Sequence, residues 1–153
     1  MNKTFFTIAI VGILLLARAQ AGELQVGFAQ LSITPDIIDQ WVDVNDDAQF
    51  DPDIDLWTDV NGNGKFDAVW MAGFQNQRPA QGVKDNLMAV AVVIDDGKNR
   101  IGIVSADTVG LMRKFVLGVR EAVPVEWGLD YLMVHATHNH EGPDTQGRWG
   151  PGF

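Results

Sequence analysis

Residues 101–137, IGIVSADTVGLMRKFVLGVREAVPVEWGLDYLMVHAT, decide how the chain folds. The run "IGIVSA" is apolar and β-branched, and it ends on the polar residue Asp107. The stretch 108–123 that follows changes period. Leu111, Phe115, Val119 and Ala122 recur at helical spacing, with Arg113, Lys114, Arg120 and Glu121 on the other faces. Pro124 stops that helix. "YLMVHAT", 131–137, is a second apolar strand. Strand, helix, strand in this order predicts a right-handed parallel crossover. In open α/β sheets, ligands sit beyond the carboxyl ends of the strands. Parallel strands would therefore bring Asp107 and the triplet His138-Asn139-His140 to one edge of the sheet.

Outward from this unit, "LMAVAVVI" at 87–94 and the strand from Arg100 flank the turn "DDGKN", which predicts a β-hairpin. Residues 24–33, "LQVGFAQLSI", alternate imperfectly and read as a first strand, closed by Thr34-Pro35. The expected fold is α/β: a mixed sheet with a hairpin and a strand-helix-strand crossover, carrying an acidic insert at 36–75.

That insert has little periodicity, but Trp41, Phe50, Trp57, Phe66, Trp70 and Phe74 argue against disorder. It contains a duplication: "DVNDDAQFD" at 43–51 matches "DVNGNGKFD" at 59–67, sixteen residues on. Alternating oxygen side chains on a tight loop can surround a hard cation at about 2.3–2.6 Å. The second copy offers Asp59, Asn61, Asn63 and Asp67, plus the carbonyl of Lys65, and Gly62 and Gly64 permit the turn. The first copy has Ala48 where glycine is wanted; Asp51, Asp53 and Asp55 offer instead to complete a shared site. The loop is not a full EF-hand, because its twelfth position is Trp70 rather than a bidentate Glu. The other reading is a solvated acidic loop held by Asx turns.

The start of the chain has export character. Lys3, an apolar run from Phe5 to Leu16, and Ala17, Ala19 and Ala21 make residues 1–21 a secretory signal peptide, with cleavage after Ala19 or Ala21. The run is too short to span a bilayer. The expected location is secreted or periplasmic. With no cysteine, disulfides and thiolate metal sites are excluded. A formal charge of −9, more negative once Lys3 and Arg18 leave with the leader, argues against nucleic-acid and anionic-membrane partners.

All three histidines lie in one stretch: His135, His138 and His140. On an extended segment, residues two apart share a face, so His138 and His140 can aim at one ion. Zinc binds neutral imidazole at about 2.0–2.1 Å and, in catalytic sites, takes three protein ligands and a water. Glu141, Asp144, Asp107 or His135 are candidates for a further ligand, though His135, within the strand, is expected to face elsewhere. The plainer alternatives are a loop pair with hydrogen-bonding duties alone, and Asp107 as a strand-end cap.

Three motifs carry a resemblance. Gly82, Asp85 and Leu87 form G-x-x-D-x-L before the hairpin, "VSAD" stands at 104–107, and T-H-x-H-x-G-P at 137–143. In this order they resemble the N-terminal part of the neutral/alkaline (non-lysosomal) ceramidase family, over Val26 to Gly150. That family reads T-H-T-H-S-G-P where this chain has Asn139 and Glu141. The resemblance implies a zinc amidohydrolase of a lipid amide, with His138 as a zinc ligand and His140 beside the metal as a catalytic group. Asp107 is carried as a second catalytic candidate. It also implies that a further His, a Glu and a Tyr ligand come from downstream, so that residues 22–153, ending "RWGPGF", are expected to be the N-terminal part of a longer, otherwise incomplete and inactive domain. The alternatives are a calcium-stabilised exported binding module, or a related hydrolase of another amide or ester.

Overall fold

The computed structural model describes residues 22–151; the expected leader at 1–21 lies outside them. Six strands and one α-helix are present among these residues: β1 (Gln25–Ser32), β2 (Gln40–Val42), β3 (Leu56–Thr58), β4 (Met88–Asp95), β5 (Arg100–Ala106), α1 (Arg113–Ala122) and β6 (Tyr131–Ala136), with a 3-10 turn at Val125–Trp127. The main sheet runs β1-β4-β5-β6. β1 and β5 both pair antiparallel with β4, whereas β5 and β6 are parallel. The sheet is therefore mixed, with a hairpin and a parallel crossover through α1.

The hairpin turn is locally specified. The Asp96 carboxylate accepts the N–H groups of Lys98 and Asn99, and Gly97 takes the left-handed conformation at φ 81°. Backbone donors hold the Asp96 carboxyl below its ordinary range. The Gly97 N–H, helped by Arg100, does the same for Asp95.

The helix starts later than its apolar spacing predicts. Residues 108–112 are not helical, and the carbonyls of the first three are engaged elsewhere. Thr108 O accepts the Asn139 N–H, Val109 O meets the His138 ring, and Gly110 O accepts the Thr145 hydroxyl. A carbonyl turned outward in this way does not serve the i+4 amide of a helix. Once formed, α1 packs beside β6. Arg120 donates from Nε to Leu132 O at 2.8 Å and from Nη2 to the Tyr131 hydroxyl at 3.0 Å.

Burial is concentrated near the carboxyl ends of the crossover strands and under the insert. Among the described residues the buried apolar side chains are Trp41, Ala72, Ala106, Val109 and Leu132. β1 is exposed along its whole length, and Val26, Phe28 and Leu31 are each more than three-fifths exposed.

The insert holds a hairpin that its composition did not signal. β2 and β3 pair antiparallel with Trp41 opposite Trp57, which are themselves sixteen residues apart. The duplication is thus folded about a local pseudo-twofold axis. Asp55 accepts the N–H groups of Val44 and Asp51 at 2.9 and 2.8 Å; its counterpart Asp39 accepts those of Val60 and Asp67 at 2.9 and 2.7 Å. Each copy supplies the carboxylate that closes the other copy's loop. Both carboxylates are buried, Asp39 to 1 % exposure, which two charge-assisted hydrogen bonds apiece make tolerable. Phe50 and Phe66 stack across the axis at 4.1 Å, and Trp70 packs against both.

Replacing Asp55 by Ala removes a buried carboxylate and leaves two part-buried N–H groups without acceptors. Urea unfolding should show a loss of about 2–4 kcal/mol, with a matching loss for Asp39→Ala. A loss below about 0.5 kcal/mol in both, the range of ordinary surface substitutions, would contradict the reciprocal closure.

Candidate metal centre

The parallel ladder of β5 and β6 continues one step past its last residues. Thr137 N–H donates to Ala106 O at 2.9 Å and Asn139 N–H to Thr108 O at 3.1 Å. Between them His138 adopts φ 65°, in the left-handed region. The segment is therefore not extended, and alternation along a strand does not bring the two histidines together. A left-handed residue turns the chain, and the rings meet across that turn.

The meeting is close. The Nε2 atoms of His138 and His140 are 3.1 Å apart, with ring planes at 73°. His138 Nδ1 lies 2.6 Å from Val109 O. A carbonyl only accepts, so Nδ1 carries a proton, and the neutral ring in this tautomer presents a lone pair at Nε2. A carbonyl on the far nitrogen is the usual arrangement behind a metal-ligating imidazole. Two nitrogens at about 2.0–2.1 Å from one ion, at a tetrahedral angle, stand about 3.3–3.4 Å apart. The observed spacing suits one shared metal ion, or one shared proton.

His140 is seated by a glycine. Gly73 has φ 117°, and a Cβ there would lie 2.7 Å from His140 Cβ and 2.9 Å from its Cγ. Phe74 stands edge-on to the His140 ring at 5.4 Å. The 70–80 segment is bound to the loop after β6 by Ala72 N–H to Gly142 O at 2.9 Å and Asp144 N–H to Trp70 O at 2.7 Å.

The other sequence candidates stand apart from the pair. Asp107 accepts the Met88 N–H on Oδ2 at 2.9 Å and the Thr137 hydroxyl on Oδ1 at 3.1 Å, so it fastens the ends of three strands. Glu141 pairs with Arg78 at 3.3 Å. Asp144 closes its own loop on the N–H groups of Gln146 and Trp149. His135 is exposed on β6 and approaches only its neighbour's carbonyl. Among the described residues no cluster of three or more His, Cys, Asp or Glu is assembled. The donors present fit two positions of a zinc shell.

A cavity of about 790 Å³ lies against the same loop and is lined by its residues Thr137, Asn139, Glu141 and Gly142, with Asp107 and Leu87. Neither His138 nor His140 lines it.

In the second acidic loop, the Asp59 carboxylate accepts the N–H groups of Gly62, Asn63 and Gly64, and Asn61 and Asn63 both direct their amides to Asp67 Oδ2, at 2.6 and 2.7 Å. Lys65 N–H donates to the Asn63 side chain. Four of the proposed calcium-ligand side chains thus share one loop interior. The first loop repeats the backbone: Asp46 and Ala48 take φ 59° where Gly62 and Gly64 take 73° and 75°. Ala48 therefore holds a strained left-handed position. The shared site expected from Asp51, Asp53 and Asp55 is not formed. Asp55 is buried on two backbone amides and Asp51 accepts the Asp53 N–H.

Reasoning on the sequence missed Asp39, Gly73 and Arg78. Asp39 had a signal, its sixteen-residue offset from Asp55. Gly73 and Arg78 had none, because they act through contacts more than sixty residues away in the chain. No family model, no curated protein and no solved structure matches this chain.

Gly73→Ala forces a Cβ into the His140 ring from a strained φ. It should lower the stability to urea by about 1–3 kcal/mol. A variant as stable as the parent would show that the ring is not seated against this backbone.

Proposed function

We propose that this chain supplies the two-imidazole part of a zinc-dependent amide hydrolase of the neutral ceramidase kind, exported from the cell. The observation that carries the reading is the 3.1 Å approach of two Nε2 atoms, one with its tautomer set by Val109 O. His138 holds the metal, and His140 either shares it or aligns the attacking water and steadies the oxyanion. Zinc, when bound, polarises the scissile carbonyl and lowers the pKa of its water. The resemblance assigns the remaining ligands to a His, a Glu and a Tyr further along a longer chain, so residues 22–153 alone should turn over an amide poorly. No described helix is long and apolar enough to cross a membrane. The substrate class is a small-molecule or lipid amide.

The acidic insert fits the same setting as a Ca²⁺-ordered element, with Asp59, Asn61, Asn63, Asp67 and the Lys65 carbonyl as ligands. Its missing twelfth-position carboxylate makes it a weak site, of the sort extracellular calcium can fill.

A second reading is favoured by the cavity of about 790 Å³, which neither histidine lines. On it, the chain is a calcium-stabilised binding module without catalysis.

Metal analysis separates the two. Protein equilibrated with Zn²⁺ and desalted should retain zinc, and His138→Ala should lose it; calcium alone in both preparations would leave only the binding module. Adding a calcium chelator should lower the thermal midpoint by several degrees, and an unchanged midpoint would remove calcium from the account.

A further inference from the structure

We infer that Arg78 is a positioning residue for the imidazole pair; the inference rests on the zinc reading. His138 is fixed from the segment after β5 by Val109 O. The only hydrogen-bond partner of the His140 ring among the described residues is His138 itself. The place of that ring is therefore set by its backbone and by the walls at Gly73 and Phe74. One side chain holds all of these. The Arg78 guanidinium donates from Nη2 to His140 O at 3.1 Å and to Ala72 O at 3.2 Å, the carbonyl just before Gly73. From Nη1 it meets Glu141 at 3.3 Å. Its carbon centre lies 5.8 Å from the Phe74 ring centroid, and Phe74 is the ring set edge-on to His140. The side chain is only 18 % exposed, so this grip is little diluted by solvent.

The geometry calls for arginine. Two carbonyls, a carboxylate and an aromatic ring are met at once by a planar cation with several fixed donors. A lysine ammonium is a point charge and reaches only part of this set. Arg78 itself belongs to a held segment, because its carbonyl accepts the Met71 N–H at 2.8 Å. It acts on the metal only through His140 and is not itself a ligand.

Cobalt(II), a spectroscopic stand-in for zinc, tests this on the full chain. Titration is followed by the visible absorption of the bound ion for the parent, His138→Ala, Arg78→Lys and Arg78→Met. The parent should bind and His138→Ala should not. Arg78→Met should bind about 10–100-fold more weakly, the usual cost of removing an outer support of a ligand, and Arg78→Lys should recover part of the loss. Should Arg78→Met fail to fold, Arg78→Lys decides. Parent-like affinity in folded Arg78→Lys and in any folded Arg78→Met overturns the role of Arg78 and leaves the imidazole pair standing. Parent-like binding by His138→Ala overturns the zinc reading itself, and the role of Arg78 with it.

Discussion

The site depends on where three consecutive carbonyls point. Beyond β5, Thr108, Val109 and Gly110 direct their oxygens to the loop after β6 instead of forward into a helix. Two consequences follow from one choice. The helix is postponed to Arg113, and the loop carrying His138 and His140 is fastened to the sheet at three places. The short contact from His138 Nδ1 to Val109 O then selects the tautomer that leaves Nε2 bare. Val109 is 3 % exposed and Thr108 5 %, so these bonds form where water competes poorly.

The parts of the fold legible in the sequence were those with a strong period. β4, β5 and β6 fall within a residue or two of their apolar runs, and the turn chemistry of 95–99 fixed the hairpin between two of them. The helix start was misread because Leu111 extends the helical spacing backward while the carbonyls before it are bonded elsewhere, and spacing carries no information about that. β2 and β3 are three residues each, too short for any periodicity to show. The convergence of His138 and His140 was expected on the wrong ground. Alternation presumed an extended chain, whereas φ at His138 is 65°. Gly73 and Arg78 were illegible because their importance lies in what they touch across a long stretch of chain.

The acidic insert is continuous with the rest of the molecule. Phe50 N–H donates to Gln77 O at 2.8 Å, and Gln77 N–H donates to Trp149 O. The residue after Gln77 is the arginine that holds His140. The first acidic loop is therefore two bonded steps from the imidazole pair. An insert ordered by its own aromatic stack and backbone caps gives the 70–80 segment a firm base, and that segment forms one wall of the pair.

The swapped carboxylates of the duplicated loops bear on ancestry. Neither half could have been a self-sufficient module with its present wiring, since each relies on its twin's aspartate to finish. Losing either half would strand the survivor, because the carboxylate that closes its loop would go too. The strained Ala48 therefore sits in a loop whose closure is borrowed, from Asp55 of its sibling.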